Sequence, residues 1–65
     1  LETDDPALLA LYAERRAIEE RVEAHRMLKD GMETDVYEQE LERLLIELAL
    51  KNRQVREAEA EMPER

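Results

Sequence analysis

The sequence predicts an all-α fold: a two-helix antiparallel hairpin that dimerises into a four-helix bundle. Three observations carry this expectation. The only glycine, Gly31, stands near the middle of the 65 residues, between two long amphipathic segments. Ala, Leu, Glu and Arg dominate the composition, as in long helices and coiled coils. Aromatic residues are limited to Tyr12 and Tyr37 and β-branched residues are few, so strands are not expected.

Taken in order, Leu1 to Asp4 read as a frayed lead-in. Asp5-Pro6 starts the first helix, because Asp caps free N–H groups and Pro at the first helical position has no N–H to leave unpaired. This helix is expected over about 6–30, with Lys29 in its last turn and Gly31 as a left-handed cap. The turn is expected over 31–34. Thr34 or Asp35 then caps a second helix over about 35–61, Asp35 and Glu38 having capping-box spacing, and Pro63 stops it. Opposite charges recur four residues apart, as in Arg15–Glu19, Arg16–Glu20, Arg26–Asp30, Arg43–Glu47, Glu47–Lys51 and Arg53–Glu57, and each such pair supports a helix by about 0.2–0.5 kcal/mol.

Projected at about 100° per residue, helix 1 carries a stripe of Leu8, Leu11, Ile18, Val22 and His25, interrupted by Arg15. Helix 2 carries Tyr37, Leu41, Leu44, Leu45, Leu48, Val55 and Met62, with Asn52 inside the stripe. An antiparallel hairpin brings Ile18 to Leu48, Val22 to Leu44 and Leu11 to Val55, so apolar meets apolar along most of the seam. Arg15 and Asn52 fall at about the same level, where a polar layer sets register at some cost in stability. Ile46 and Leu50 lie on the far side of helix 2, Leu9 lies away from the stripe of helix 1, and Leu28 and Tyr12 sit at stripe edges. Several such residues on matched helices call for a second interface, whereas stray surface leucines are the plainer alternative.

The bulk properties limit what such a module does. A chain this short has a marginal core and is usually stabilised by disulfides, a metal or oligomerisation. Cysteine is absent, which removes disulfides, thiolate metal sites and thiol nucleophiles. The net charge of −8 opposes binding to nucleic acid and to anionic membrane surfaces, and it suits a basic partner. No apolar run approaches the ~20 residues of a membrane span. A start at Leu1 rather than Met is compatible with a processed product or a fragment. Nothing names the compartment, with a slight preference for the cytoplasm.

Chemistry finds little purchase. His25 is the only histidine. A di-iron bundle needs Glu-x-x-His, but Val22 stands three before His25, and His-Glu-x-x-His is missing as well. Histidine-kinase dimerisation hairpins carry an acidic residue directly after the histidine and a proline several residues on. Here Arg26 follows, and no proline appears before Pro63. A packing role at the seam edge, near Tyr37 or Leu41, is the expectation for His25. No catalytic, cofactor or metal residues are expected, no small-molecule substrate either, and the many glutamates read as a solvated face.

Two stretches resemble known families. Leu28-Lys29-Asp30-Gly31-Met32-Glu33-Thr34-Asp35-Val36-Tyr37-Glu38-Gln39-Glu40-Leu41 resembles the SHOCT-type C-terminal helical hairpins of bacterial proteins. That resemblance implies oligomerisation or contacts with a partner and no catalytic residues. The family usually has Ile-Thr or Leu-Thr after the glycine, and Met32-Glu33-Thr34 is one residue longer. Leu8-Leu9-Ala10-Leu11-Tyr12-Ala13-Glu14-Arg15-Arg16 looks like the start of the all-helical chorismate mutases. This implies a small enzyme whose arginines bind a dicarboxylate, although the third helix is missing and Arg26 or Met27 stands where a lysine is called for.

The sequence therefore points to a non-catalytic oligomerisation module. Its interface residues are Leu11, Ile18, Val22, Leu41, Leu44 and Leu48 on the seam, Ile46 and Leu50 on the second face, and Arg15 and Asn52 as register-setting polar groups. Its partner is expected to be a second copy. A docking or regulatory domain that binds a different protein is the main alternative, and the small enzyme a distant one.

Overall fold

The computed structural model describes residues 5–61. Leu1 to Asp4, expected as a lead-in, and Met62 and Pro63, expected in the stripe and as the stop of the second helix, lie outside the described residues. Two helices, α1 (Pro6–Arg26) and α2 (Thr34–Ala60), flank a short 3-10 turn at Lys29–Gly31. No strand occurs among the described residues. The helices lie side by side in a rod of 50 × 15 × 14 Å. Cross-helix partners run in opposite order along the two helices: Tyr12 with Glu59, Arg15 with Asn52, Arg21 with Glu47 and His25 with Tyr37. The hairpin is therefore antiparallel.

The start of α1 follows its sequence signals. Asp5 is the N-cap, its side chain accepting from the Ala7 N–H at 3.0 Å, and Pro6 opens the helix. Its end does not. The expected run to about residue 30 stops at Arg26, and the hydrogen bonds tighten from four-residue to three-residue steps. The Met27 N–H donates to the Ala24 carbonyl, Leu28 to His25, and Gly31 to Leu28. Tightening the chain this way satisfies carbonyls at the helix end while turning the backbone toward α2. Gly31 is not the left-handed cap expected of it. No described residue has a positive φ, and a Cβ at position 31 would meet nothing within 4 Å. Nothing in the structure explains why position 31 is glycine.

The start of α2 also differs. Its N-cap is Glu33, in extended backbone (φ −66°, ψ 145°) and without a side-chain cap bond, so neither Thr34 nor Asp35 caps the helix. The first backbone bond of α2 runs from the Tyr37 N–H to the Glu33 carbonyl at 2.9 Å. The connection thus spans 27–33 rather than 31–34.

The seam buries Leu8, Ile18 and Val22 of α1 and Tyr37, Leu44 and Val55 of α2, together with His25. Leu8 and Val55 are the most enclosed, each 1% exposed. Leu11, Leu41 and Leu48, expected on the seam, are half-buried, and Leu45 is exposed. One neighbouring helix covers only a narrow sector of another, so a broad stripe keeps its middle dry and its edges wet.

Ion pairs line the flanks. Glu14 meets Lys51 at 2.8 Å and Arg21 meets Glu47 at 3.2 Å, both across the seam. Within α2, Arg43 pairs with Glu40 and Glu47, and Arg53 with Glu57. Of the six pairs expected within helices, Arg43–Glu47 and Arg53–Glu57 form. Lys51 instead turns across to Glu14, and Arg15 to Asn52. Every one of these ion-paired side chains except Lys51 keeps more than a third of its surface in water, so each pair contributes little to stability.

Candidate interaction surface

Two polar features mark the seam. The first is the level of Arg15 and Asn52. The Arg15 guanidinium donates to Asn52 Oδ1 at 3.4 Å, and both residues are half-buried. Arg15 also lies 5.4 Å over the ring of Tyr12, whose hydroxyl donates to Glu59 at 2.6 Å. Glu59 holds the Tyr12 phenol above its ordinary pKa, chiefly because its carboxylate accepts that proton in a hydrogen bond and, to a lesser extent, because its negative charge opposes phenolate. Position 15 is thereby tied to 52, and position 12 to 59. Arg15 and Arg16 do not converge. Arg15 is engaged at the seam, whereas Arg16 is exposed.

The second feature is His25, near the turn. Its ring is 6% exposed and stacks on Tyr37, with centroids 4.6 Å apart and planes 8° from parallel. Nε2 lies 2.9 Å from the Tyr37 carbonyl oxygen, which can only accept, so Nε2 carries the proton. A buried ring stacked on one face and bonded at Nε2 is occupied in holding the two helices together at the elbow. A shallow groove beside it is lined by Lys29, Asp30, Met32, Thr34, Tyr37, Glu38 and Leu41. Among the described residues, no cluster of three or more His, Asp or Glu could hold a metal ion, and no helix is long and apolar enough to cross a membrane.

The candidate functional surface lies elsewhere, on the outside of α2. Ile46 and Leu50 are 53% and 54% exposed, and Leu45 joins them at 41%. One helical turn separates Ile46 from Leu50, so they form one patch. Ala49 lies between them and is also exposed. Leu9 on α1 and Val36, Met27 and Leu28 near the turn add exposed apolar surface. Leu45 is the residue that pattern reading misplaced. At the edge of the stripe, it belongs to whichever neighbour comes close on that side, and α1 does not. Compared with known protein families, characterised proteins and solved structures, the chain matches none of them.

Proposed function

We propose that this chain is a non-catalytic self-association module that forms a homodimeric four-helix bundle through the outside of α2. The observation that supports this reading is the exposed cluster of Leu45, Ile46 and Leu50 at the middle of the longer helix. Among the described residues the hairpin is two helices thick, and α1 does not cover this cluster. Fully burying one Leu or Ile is worth about 1.5–3 kcal/mol, and these side chains retain about half of that surface, so a paired cluster on two copies favours association.

Sedimentation equilibrium across a hundredfold concentration range, on wild type and on Ile46→Glu/Leu50→Glu, tests this directly. The expected result is a dimer that dissociates on dilution and a double variant that stays monomeric and helical. A wild-type chain that is monomeric and folded throughout overturns self-association, and leaves the patch to a different protein.

Within this reading, Arg15 and Asn52 act as a register-setting polar layer. A half-buried polar pair in a leucine seam costs stability and disfavours shifted alignments. Arg15→Leu/Asn52→Leu is expected to raise the melting temperature while broadening the range of oligomer sizes. A double variant that keeps a single size and a single sharp set of NMR resonances removes the register role.

A further inference from the structure

Along its length α2 carries a second pattern, in charge rather than in apolarity. Between Glu33 and Glu42 stand Glu33, Asp35, Glu38, Glu40 and Glu42, with no basic residue. Between Arg43 and Arg56 stand Arg43, Lys51, Arg53 and Arg56 against the single acid Glu47. The helix is thus acidic over its first part, basic from Arg43 to Arg56 and acidic again at Glu57 and Glu59, and the exposed apolar cluster lies just past the first changeover.

On the outer face itself the order is Glu42, then Leu45, Ile46, Ala49 and Leu50, then Arg53, and every one of these is exposed. Glu42, Ile46, Ala49 and Arg53 follow one another in alternating steps of four and three, the spacing of a coiled-coil seam. Gln39 and Arg56 continue the same steps outward. The α1-facing seam does not use these positions.

We infer that the occupant of this face is the α2 helix of a second copy, lying antiparallel across a two-fold axis between Ile46 and Ala49. This arrangement deepens the self-association reading and rests on it. About that axis Ile46 meets Ala49 of the other copy, a large side chain against a small one, and this occurs twice. Glu42 comes opposite Arg53 of the other copy, also twice, and Gln39 opposite Arg56. On the contact line itself, acid thus meets base at both ends of the apolar pair. A parallel pairing would instead set acid against acid and base against base, at a cost. A two-fold interface requires one patch to complement itself, and this patch does so in size and in charge. Glu42 makes no ion pair among the described residues, and the Arg53–Glu57 pair is a solvent-exposed contact that Arg53 can give up or share at little cost.

The test is a mixing experiment on the full chain. Glu42→Arg places arginine opposite Arg53 at both ends of the dimer, and Arg53→Glu places glutamate opposite Glu42 at both ends. Each variant alone is expected to dimerise at least about tenfold more weakly than wild type. An equimolar mixture of the two restores opposite charges at both ends, so a heterodimer of near wild-type affinity is expected. The chain carrying both changes should dimerise with itself, which keeps the test decisive should either single variant fold poorly. Circular dichroism reports the fold of each variant. If wild type dimerises but the two variants behave like it, or if mixing rescues nothing and the doubly changed chain stays weak, the antiparallel α2 contact is wrong while self-association stands. A wild-type chain that never dimerises overturns both.

Discussion

Leu44→Ala is expected to remove much of the stability of this hairpin. Leu44 is 4% exposed, at the centre of the seam, where it is flanked by the half-buried Leu41 and Leu48. Truncating a buried leucine costs about 2–5 kcal/mol, partly in lost transfer energy and partly in the cavity left behind. A chain of this length has a total stability on the order of 3–10 kcal/mol. The variant should therefore melt many degrees lower or be largely unfolded at room temperature. Leu9→Ala is the matched control, because Leu9 is 48% exposed and its truncation should cost well under about 1 kcal/mol. Thermal denaturation by circular dichroism at one fixed protein concentration compares the two, since an associating chain melts at a concentration-dependent temperature. Equal melting of Leu44→Ala and wild type would mean that the seam does not hold the helices together.

His25→Ala is expected to have the next largest effect. It removes a stacked ring pair and a buried hydrogen bond at the end of the hairpin where the chain reverses. Stacking contributes about 0.5–1.5 kcal/mol beyond burial and the hydrogen bond a net ~0.5–1.5 kcal/mol, with lost burial in addition. A total loss of about 2–4 kcal/mol follows. His25→Phe separates the contributions, because it retains a ring against Tyr37 and loses only the N–H donor. The expected order of melting temperature is wild type, then Phe, then Ala. Phe and Ala variants that melt together would show that stacking adds nothing, and two variants that melt like wild type would make His25 a bystander.

The groups that hold the elbow were only partly legible in advance. His25 was recognisable as a seam residue near Tyr37 from helical spacing alone. The stacking and the bond to the Tyr37 carbonyl were not, because they depend on where α1 ends. A spacing argument extends α1 to the glycine, since no residue between Arg26 and Gly31 has a strong objection to helix. The chain instead leaves the helix four residues earlier, with its last bonds closing over three residues. What decides this is a gain that arises only once α2 is in place, namely the enclosure of His25 and Tyr37.

The candidate surface divides in the same way. Ile46 and Leu50 stand opposite the main stripe by simple rotation about the helix axis, and the structure leaves both exposed. Leu45 could not be assigned by rotation. Its position at the stripe's edge suits either burial or exposure, and the sector that α1 covers determines which. The charge order from Glu42 to Arg53 was present in the sequence throughout. It acquires meaning only when those positions are known to face outward together.

The sequence by itself determined the elements that local physics controls. These are two helices of mixed apolar and charged pattern, the Asp5-Pro6 start of α1, the antiparallel return, and the seam centred on Ile18, Val22 and Leu44. Each follows from periodicity or from a cap that acts over a few residues. Only the tertiary structure decided the length of α1, the tight turn at Lys29–Gly31, the capping of α2 by Glu33, the link from Arg15 to Asn52, and which leucines remain uncovered. These depend on the width of surface one helix offers another and on contacts between residues far apart in the chain, and neither quantity is contained in a local pattern.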